Sequence, residues 1–285
     1  MKKYYNIAGI EISLDIPDDR MFDDERSLKE FSVDEVSFPH EFTFIVKEKL
    51  TPPETQASIV QPSFRIYYEG ENQIRYIGSV QETFENAYIR ACHNGKKHDI
   101  ELQESHFSGK IGVHTVLNTL MMEHLVAEDH GFIFHTSFIE HDGGAILFTA
   151  PSGTGKSTQA DLWNQYEGAT IINGDRAVIK YKENTIYACG IPFAGSSIYC
   201  KNRILPLKAV VYLEQAKNTS IRKLRGVEAF RKIWEGVSVN TWDKLDVSAV
   251  SDVVTKLVLN VPVYLLSCTP DESAVIAVKN ELSKL

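Results

Sequence analysis

The sequence predicts a mixed fold in two parts, a β-rich N-terminal domain followed by an α/β domain. Three observations predict it. In residues 1–107, short β-branched or alternating runs recur between polar turns. From residue 132 onward, strand-like and helix-like runs alternate, the grammar of an α/β domain. Residues 150–158 (APSGTGKST) form a glycine-rich loop between an apolar strand-like run and a helix-like one.

In the front domain, Ile10, Ile12 and Leu14 alternate with polar neighbours, as in a half-buried strand. Run 42–46 (FTFIV) is aromatic and β-branched. Runs 64–68 and 74–77 flank the polar turn 69–72, and runs 87–91 and 98–102 flank a turn holding Asn94 and Gly95. Both pairs predict antiparallel hairpins. The acidic stretch 18–35 predicts a loop with a short helix. Val113, Val116, Leu117, Leu120, Met121 and Leu125 fall at helical spacing. They predict one helix over 111–126, within a linking segment 108–131.

The second domain spans 132–285. Run 145–149 predicts an apolar strand and 157–166 a helix that ends near Gly168. A strand at 170–173 follows, then a hairpin of 177–181 with 185–189, and a buried strand at 207–213. Helices follow near 227–237 and 249–259. A strand at 263–266 leads to a last helix opening on TPDE at 269–272. There Pro270 suits the first helical position and Glu272 a capping box.

Composition narrows the function classes. A net charge of −8 argues against a protein that reads nucleic-acid backbones. Lys201, Arg203, Lys208, Arg222, Lys223 and Arg225 do cluster in sequence, which suits a solvated face or a substrate-facing one. Four cysteines without a CxxC pair fit reduced thiols, and the N-terminal stretch has no continuous apolar run of signal-peptide type. No stretch approaches the roughly 20 apolar residues of a membrane span. These features predict a cytoplasmic protein that engages neither membrane nor nucleic acid, with homo-oligomerisation left open.

The loop carries the chemistry. Its spacing is that of a P-loop (Walker A) motif with Ala150 in the first position. Gly153 and Gly155 let backbone N–H groups converge on phosphate oxygens, so residues Ser152, Gly153, Thr154, Gly155, Lys156, Ser157 and Thr158 are the expected nucleotide-binding set. Lys156 would bridge the β- and γ-phosphates of ATP, and Ser157 would coordinate Mg²⁺. Such a loop needs an acid for the metal and, in a kinase, a base for the acceptor. Asp175 follows the apolar run 170–173, where that acid belongs, and a turn-capping role is its plainer alternative. Glu214, after run 210–213, is the other acid that could hold the metal. His135 precedes run 136–139. A lone His there is usually structural, and none of the nine histidines forms a metal-ligand spacing.

The stretch HTSFIEHDGGAILFTAPSGTGKST, followed by ATIINGDRAVI, resembles the catalytic domain of HPr kinase/phosphorylase. The later segments GIPFAGSS, LPLKAVVYLEQA and VPVYLLSCTPDESAV, like the opening YYNIAGIEISLDIP, resemble the related kinases of peptide-modification operons, lasso-peptide kinases among them. The resemblance implies an α/β P-loop kinase core of the HPr kinase/PEP carboxykinase-like type. It implies that His135 is an active-site residue, Asp175 the catalytic base and metal ligand, and Arg176 its active-site neighbour. The chain departs from the family at Gly174, where a second acid is expected, and it has no counterpart of the EIRG signature.

The expected function is an ATP-dependent kinase of a hydroxyl, of Ser type, on a peptide, protein or small molecule. Lys156 and Mg²⁺ would hold the triphosphate, Asp175 would take the hydroxyl proton, and His135 with Arg222 or Arg225 would stabilise developing charge. Residues 190–197, rich in small side chains, would form the acceptor pocket. The alternatives are a nucleotide-binding regulatory module without transfer activity, and a small-molecule kinase or ATPase of another P-loop class.

Overall fold

The computed structural model describes residues 1–17, 26–78, 87–106, 113–193, 195 and 197–284. The chain divides into two compact units, Met1–Met122 and Glu123–Leu285.

The first unit holds strands β1 (Lys2–Ile7), β2 (Ile10–Asp15), β3 (Ser32–Val33), β4 (His40–Lys47), β5 (Ile59–Gln61), β6 (Phe64–Glu69), β7 (Asn72–Gly78), β8 (Ala87–Asn94) and β9 (Lys97–Gln103), with the short helix α1 (Arg26–Lys29) between β2 and β3. They form one sheet in the order β3-β1-β2-β4-β9-β8-β7-β6-β5. Both expected hairpins are present, β6 with β7 and β8 with β9. In β7, buried Ile74 and Tyr76 alternate with partly exposed Gln73 and Arg75, the period of a sheet with one covered face. His98 bonds His93 (Nδ1 to Nδ1, 2.9 Å) and His40 (Nε2 to Nδ1, 3.1 Å) and stacks on Phe42. Strand register thus brings three histidines together, adding His40 of β4 to the neighbours His93 and His98.

The predicted helix over 111–126 is two helices, α2 (Val113–Thr119) and α3 (Met122–Glu128). Met121 lies between them with φ of 52°, a left-handed conformation that no α-helix tolerates in its interior. Residues 108–112 of the expected linking segment lie outside those described.

The second unit is an α/β assembly. Its strands are β10 (Gly131–His135), β11 (Ser137–His141), β12 (Gly144–Thr149), β13 (Thr170–Asn173), β14 (Arg176–Lys182), β15 (Thr185–Cys189), β16 (Ile204–Gln215), β17 (Ser220–Leu224), β18 (Val237–Ser238) and β19 (Val263–Cys268). Its helices are α4 (Lys156–Glu167), α5 (Gly226–Trp234), α6 (Lys244–Asn260) and α7 (Glu272–Leu282). The sheet runs β13-β11-β12-β16-β15-β14-β10-β18, and β19 joins β16 with β17 outside it. The long β16 makes this branch possible. Its residues 204–206 pair antiparallel with β15, and its residues 210–215 pair parallel with β19.

β12 is buried along its whole length. Ala145 and Leu147 enter one hydrophobic cluster with Val253, Val254 and Leu257 of α6, while Ile146 and Phe148 enter another with Trp163 of α4 and Val275 of α7. A strand covered on both faces reads as a continuous apolar run, which is why GAILFT shows no alternation. β12, β16 and β19 are parallel, so their carboxyl ends share one edge.

Two local expectations shift. β17 was not foreseen, because SIRKL reads as a charged run; it forms as an edge strand on β19 with only Leu224 buried. The last helix is capped by Asp271, whose carboxylate accepts from Ser273 N–H at 2.9 Å, so Pro270 precedes the cap instead of opening the helix. Among the described residues, no helix is long and apolar enough to cross a membrane.

Candidate functional site

The loop leaves the carboxyl end of β12 and enters α4. Gly153 and Gly155 have φ of 78° and 118°, and a Cβ at either would meet nothing within 4 Å. Backbone conformation, not crowding, therefore demands glycine there. Gly155 caps α4 without a side-chain acceptor, so the first N–H groups of a 12-residue helix and the positive end of its dipole open at the loop.

Beside the loop lies a cleft of about 580 Å³. Of the sequence-predicted residues, His135, Ser152, Gly153, Gly155, Lys156, Ser157, Thr158 and Asp175 line it. Thr154 and Arg176 do not. Thr154 instead faces a neighbouring cleft of about 440 Å³ across the loop, together with Glu214, Gln215 and residues 268–270 at the ends of β16 and β19. Glu214, the alternative metal acid, thus lines a different cleft from Asp175.

Lys156 is only 7% exposed. Its ammonium donates to the Ala150 carbonyl at 3.1 Å and lies 3.5 Å from that of Pro151. No carboxylate of the described residues lies within ion-pair distance of it. Burial holds its pKa below the ordinary lysine value, with the Asp175 charge acting in the opposite sense.

Asp175 is placed by Asn173. This fully buried side chain donates to the carbonyls of Ile191 and Phe193, both at 2.9 Å, and accepts from the N–H groups of Asp175 (2.9 Å) and Arg176 (3.0 Å). All four bonds serve one amide, and they fix the turn after β13 that aims Asp175 into the cleft. The Asn-Gly-Asp step at 173–175 is the sequence signal of this turn, and Asn173 is its organiser.

His135 does not lead into run 136–139 as one strand, nor into the hairpin that feeds the P-loop. The hairpin is β11 with β12, and His135 ends β10, which pairs with β14 and β18. Its N–H donates to the Gly236 carbonyl at 2.8 Å and its carbonyl accepts from Thr149 Oγ1 at 2.9 Å. Nε2 then lies 3.4 Å from Asp175 Oδ1, while Arg176 Nε donates to Oδ2 at 3.3 Å. The His135 hydrogen bond, followed by the charge of Arg176, holds the Asp175 carboxyl below the usual aspartate range, against an opposing push from burial.

Gly174 lines the cleft next to Asp175. A Cβ there would sit 2.4 Å from Ser197 Oγ and 2.6 Å from Ser197 Cβ. Ser197, Ile198 and Tyr199 form the facing wall, and Gly195 backs directly onto the Asp175 carboxylate, where a Cβ would come within 2.8 Å. The expected acceptor segment 190–197 therefore contributes Ser197, while its residues 194 and 196 lie outside those described. None of the six clustered basic residues lines the cleft. Arg203 pairs with Glu140 at 2.9 Å and Arg222 with Glu228 at 2.6 Å, both exposed.

Fold and cleft define the class: a two-unit protein whose α/β unit opens a glycine-rich loop, a helix N-terminus, a buried lysine and an aspartate–histidine pair onto one polar cleft. The chain belongs to the family described as SynChlorMet cassette protein ScmC, whose model matches residues 100–272. No curated protein matches it. Among solved structures, the Hpr(Ser) kinase/phosphatase from Coxiella burnetii is similar at 15% identity and a TM-score of 0.35, over 53% of this chain and 91% of that one.

Proposed function

We propose that this protein is an ATP-dependent kinase that transfers the γ-phosphoryl group to a hydroxyl, of Ser type, on a peptide, protein or small-molecule acceptor. The observation that carries the reading is Lys156. An ammonium that is nearly buried, held only by carbonyls and set beside an uncapped helix start is costly unless an anion joins it. The phosphates of ATP are such an anion, and the cleft volume suits a nucleotide-sized ligand. The resemblance of residues 135–179 to HPr kinase/phosphorylase, and of later segments to kinases of peptide-modification operons, supports a kinase core of the HPr kinase/PEP carboxykinase-like type.

Ser157 and Asp175 line the same cleft and supply the hard oxygen donors that Mg²⁺ prefers. Bound there, Mg²⁺ would neutralise charge on the phosphate oxygens. Lys156 holds the β- and γ-phosphates. Asp175 takes the proton of the acceptor hydroxyl, whose oxygen bonds to the γ-phosphorus as the bond to the β,γ-bridging oxygen breaks and ADP leaves. Asp175 is ionised at neutral pH, and its pKa, held below the usual aspartate range, makes it a base that takes the proton only as the hydroxyl oxygen bonds to phosphorus. His135 orients the carboxylate through its Oδ1. The four free cysteines suit a reducing compartment, the cytoplasm.

One observation favours a second reading, a nucleotide-binding module without transfer. Ser197 occupies the space that a second acid at position 174 would need. Incubation with γ-labelled ATP and a panel of free serine, HPr and Ser-ended peptides separates the two. Transfer to an acceptor, lost in Lys156→Ala, supports the kinase. Tight Mg-ATP binding with no transfer to any acceptor supports the module, and absence of nucleotide binding overturns both.

A further inference from the structure

Away from the cleft, α3 meets the N-terminus of α6 through a set of mixed nitrogen and oxygen donors. Asp246, in the first turn of α6, is 3% exposed. Its Oδ1 lies 2.8 Å from His124 Nδ1 on α3, and its Oδ2 accepts from Asn240 Nδ2 at 2.8 Å. Asp243, the N-cap of α6, spends Oδ1 on the N–H groups of Leu245 (2.9 Å) and Asp246 (3.3 Å). Its other oxygen takes no hydrogen bond among the described residues. One donor atom from each of His124, Asp243 and Asp246 lies within 4.8 Å of the others.

Charge makes this arrangement incomplete. A buried carboxylate with a second one beside it needs a positive partner, and the one in place, His124, supplies a charge only when protonated. Among the described residues, no lysine or arginine lies within ion-pair distance of Asp243 or Asp246. The helix dipole offsets only part of two full charges.

We propose that His124, Asp243 and Asp246 bind a divalent transition-metal ion, Zn²⁺ above all, that ties α3 to the start of α6. Two carboxylates and a neutral imidazole cancel the ion's charge. Tetrahedral zinc with bonds of about 2.0–2.2 Å sets its donors roughly 3.3 Å apart. The His124–Asp246 pair is already close to that spacing, and side-chain rotation brings Asp243 in. Glu128, one turn along α3 with Oε1 3.4 Å from His124 Nε2, stands against the other ring nitrogen and would orient the imidazole from outside the metal shell, leaving the fourth position to water. Imidazole selects zinc over Mg²⁺, whose preferred donors are all oxygen, so this site is separate in chemistry from the nucleotide cleft. Because α6 packs into the main apolar cluster of the unit through Val250, Val253, Val254 and Leu257, bound metal stabilises that unit.

The test is titration of the chelator-stripped full chain with zinc alone, read by competition with a chromogenic indicator and by melting temperature. The site predicts one-to-one uptake at micromolar indicator concentrations, a melting temperature that climbs with zinc and falls back on adding EDTA, and no displacement by excess Mg²⁺. His124→Gln lowers the affinity by about 100-fold or more, beyond what loss of an outer partner costs. Asp243→Ser keeps the helix cap and removes a ligand, so it weakens uptake while circular dichroism stays unchanged. His135→Gln leaves uptake intact. No uptake by the wild type, equal uptake by wild type, His124→Gln and Asp243→Ser, or loss of uptake in His135→Gln alone would each overturn the proposal.

Discussion

Replacing Asp175 by asparagine separates chemistry from architecture. The amide is nearly isosteric, and the backbone bonds that hold residue 175 survive, because Asn173 Oδ1 still accepts from its N–H and its carbonyl still accepts from Thr136 N–H at 2.9 Å. What is lost is a charge paired at 3.4 Å with His135 and 3.3 Å with Arg176, on a side chain 28% exposed. Pairs so long and partly solvated contribute at most about 1 kcal/mol to stability. Removal of a positioned base lowers transfer by about 10²–10⁴-fold, or roughly 3–5 kcal/mol of barrier. The sign with pH follows from the depressed pKa. The stabilisation is complete above the unfolded value of about 4 and disappears as pH falls through the folded one. Wild type minus Asp175→Asn should therefore show a small stability difference at neutral pH that vanishes in acid. The assay pairs calorimetric Mg-ATP titration with transfer of labelled phosphate on one preparation. Transfer within threefold of wild type would refute the catalytic assignment. A parallel loss of Mg-ATP affinity would instead make Asp175 chiefly the metal ligand.

Lys156→Ala should abolish transfer and weaken nucleotide binding by about 2–4 kcal/mol, the scale of a charge-assisted phosphate contact; unchanged affinity by calorimetry would remove the loop from the mechanism. His135→Ala should lower turnover with little change in nucleotide affinity or melting temperature, since its side chain touches the aspartate while its backbone bonds to Gly236 and Thr149 persist; a large stability loss with normal turnover per folded molecule would make the residue structural. Gly174→Asp should cost about 1–3 kcal/mol in denaturant unfolding by overpacking Ser197, and Gly174→Asp with Ser197→Gly should recover most of it. Equal stability of Gly174→Asp and wild type would show that the facing wall yields.

The local order of the chain was legible because its signals are short-range. GAILFT is apolar throughout, so it reads as a strand buried on both faces, and the glycine spacing of APSGTGKST dictates a loop whose φ angles only glycine takes cheaply. Both front hairpins follow from runs that flank turn residues. Legibility ended where a partner from afar decides. Whether His135 belongs to a hairpin or ends a strand of the main sheet depends on β14 and β18, which pair with β10 from 41–49 and 103–105 residues along the chain. SIRKL is a strand only because the edge of β19 offers it backbone hydrogen bonds. The resemblance to HPr kinase/phosphorylase is what led to expecting an acid at position 174, and only the close approach of Ser197 shows that the space beside Gly174 is filled. Likewise, sequence spacing gave His124 no ligand partner, and the packing of α3 on α6 brings it to Asp246 across 122 residues. Local propensity is written residue by residue, whereas convergence of side chains is a property of packed layers, and the cleft is made by the second.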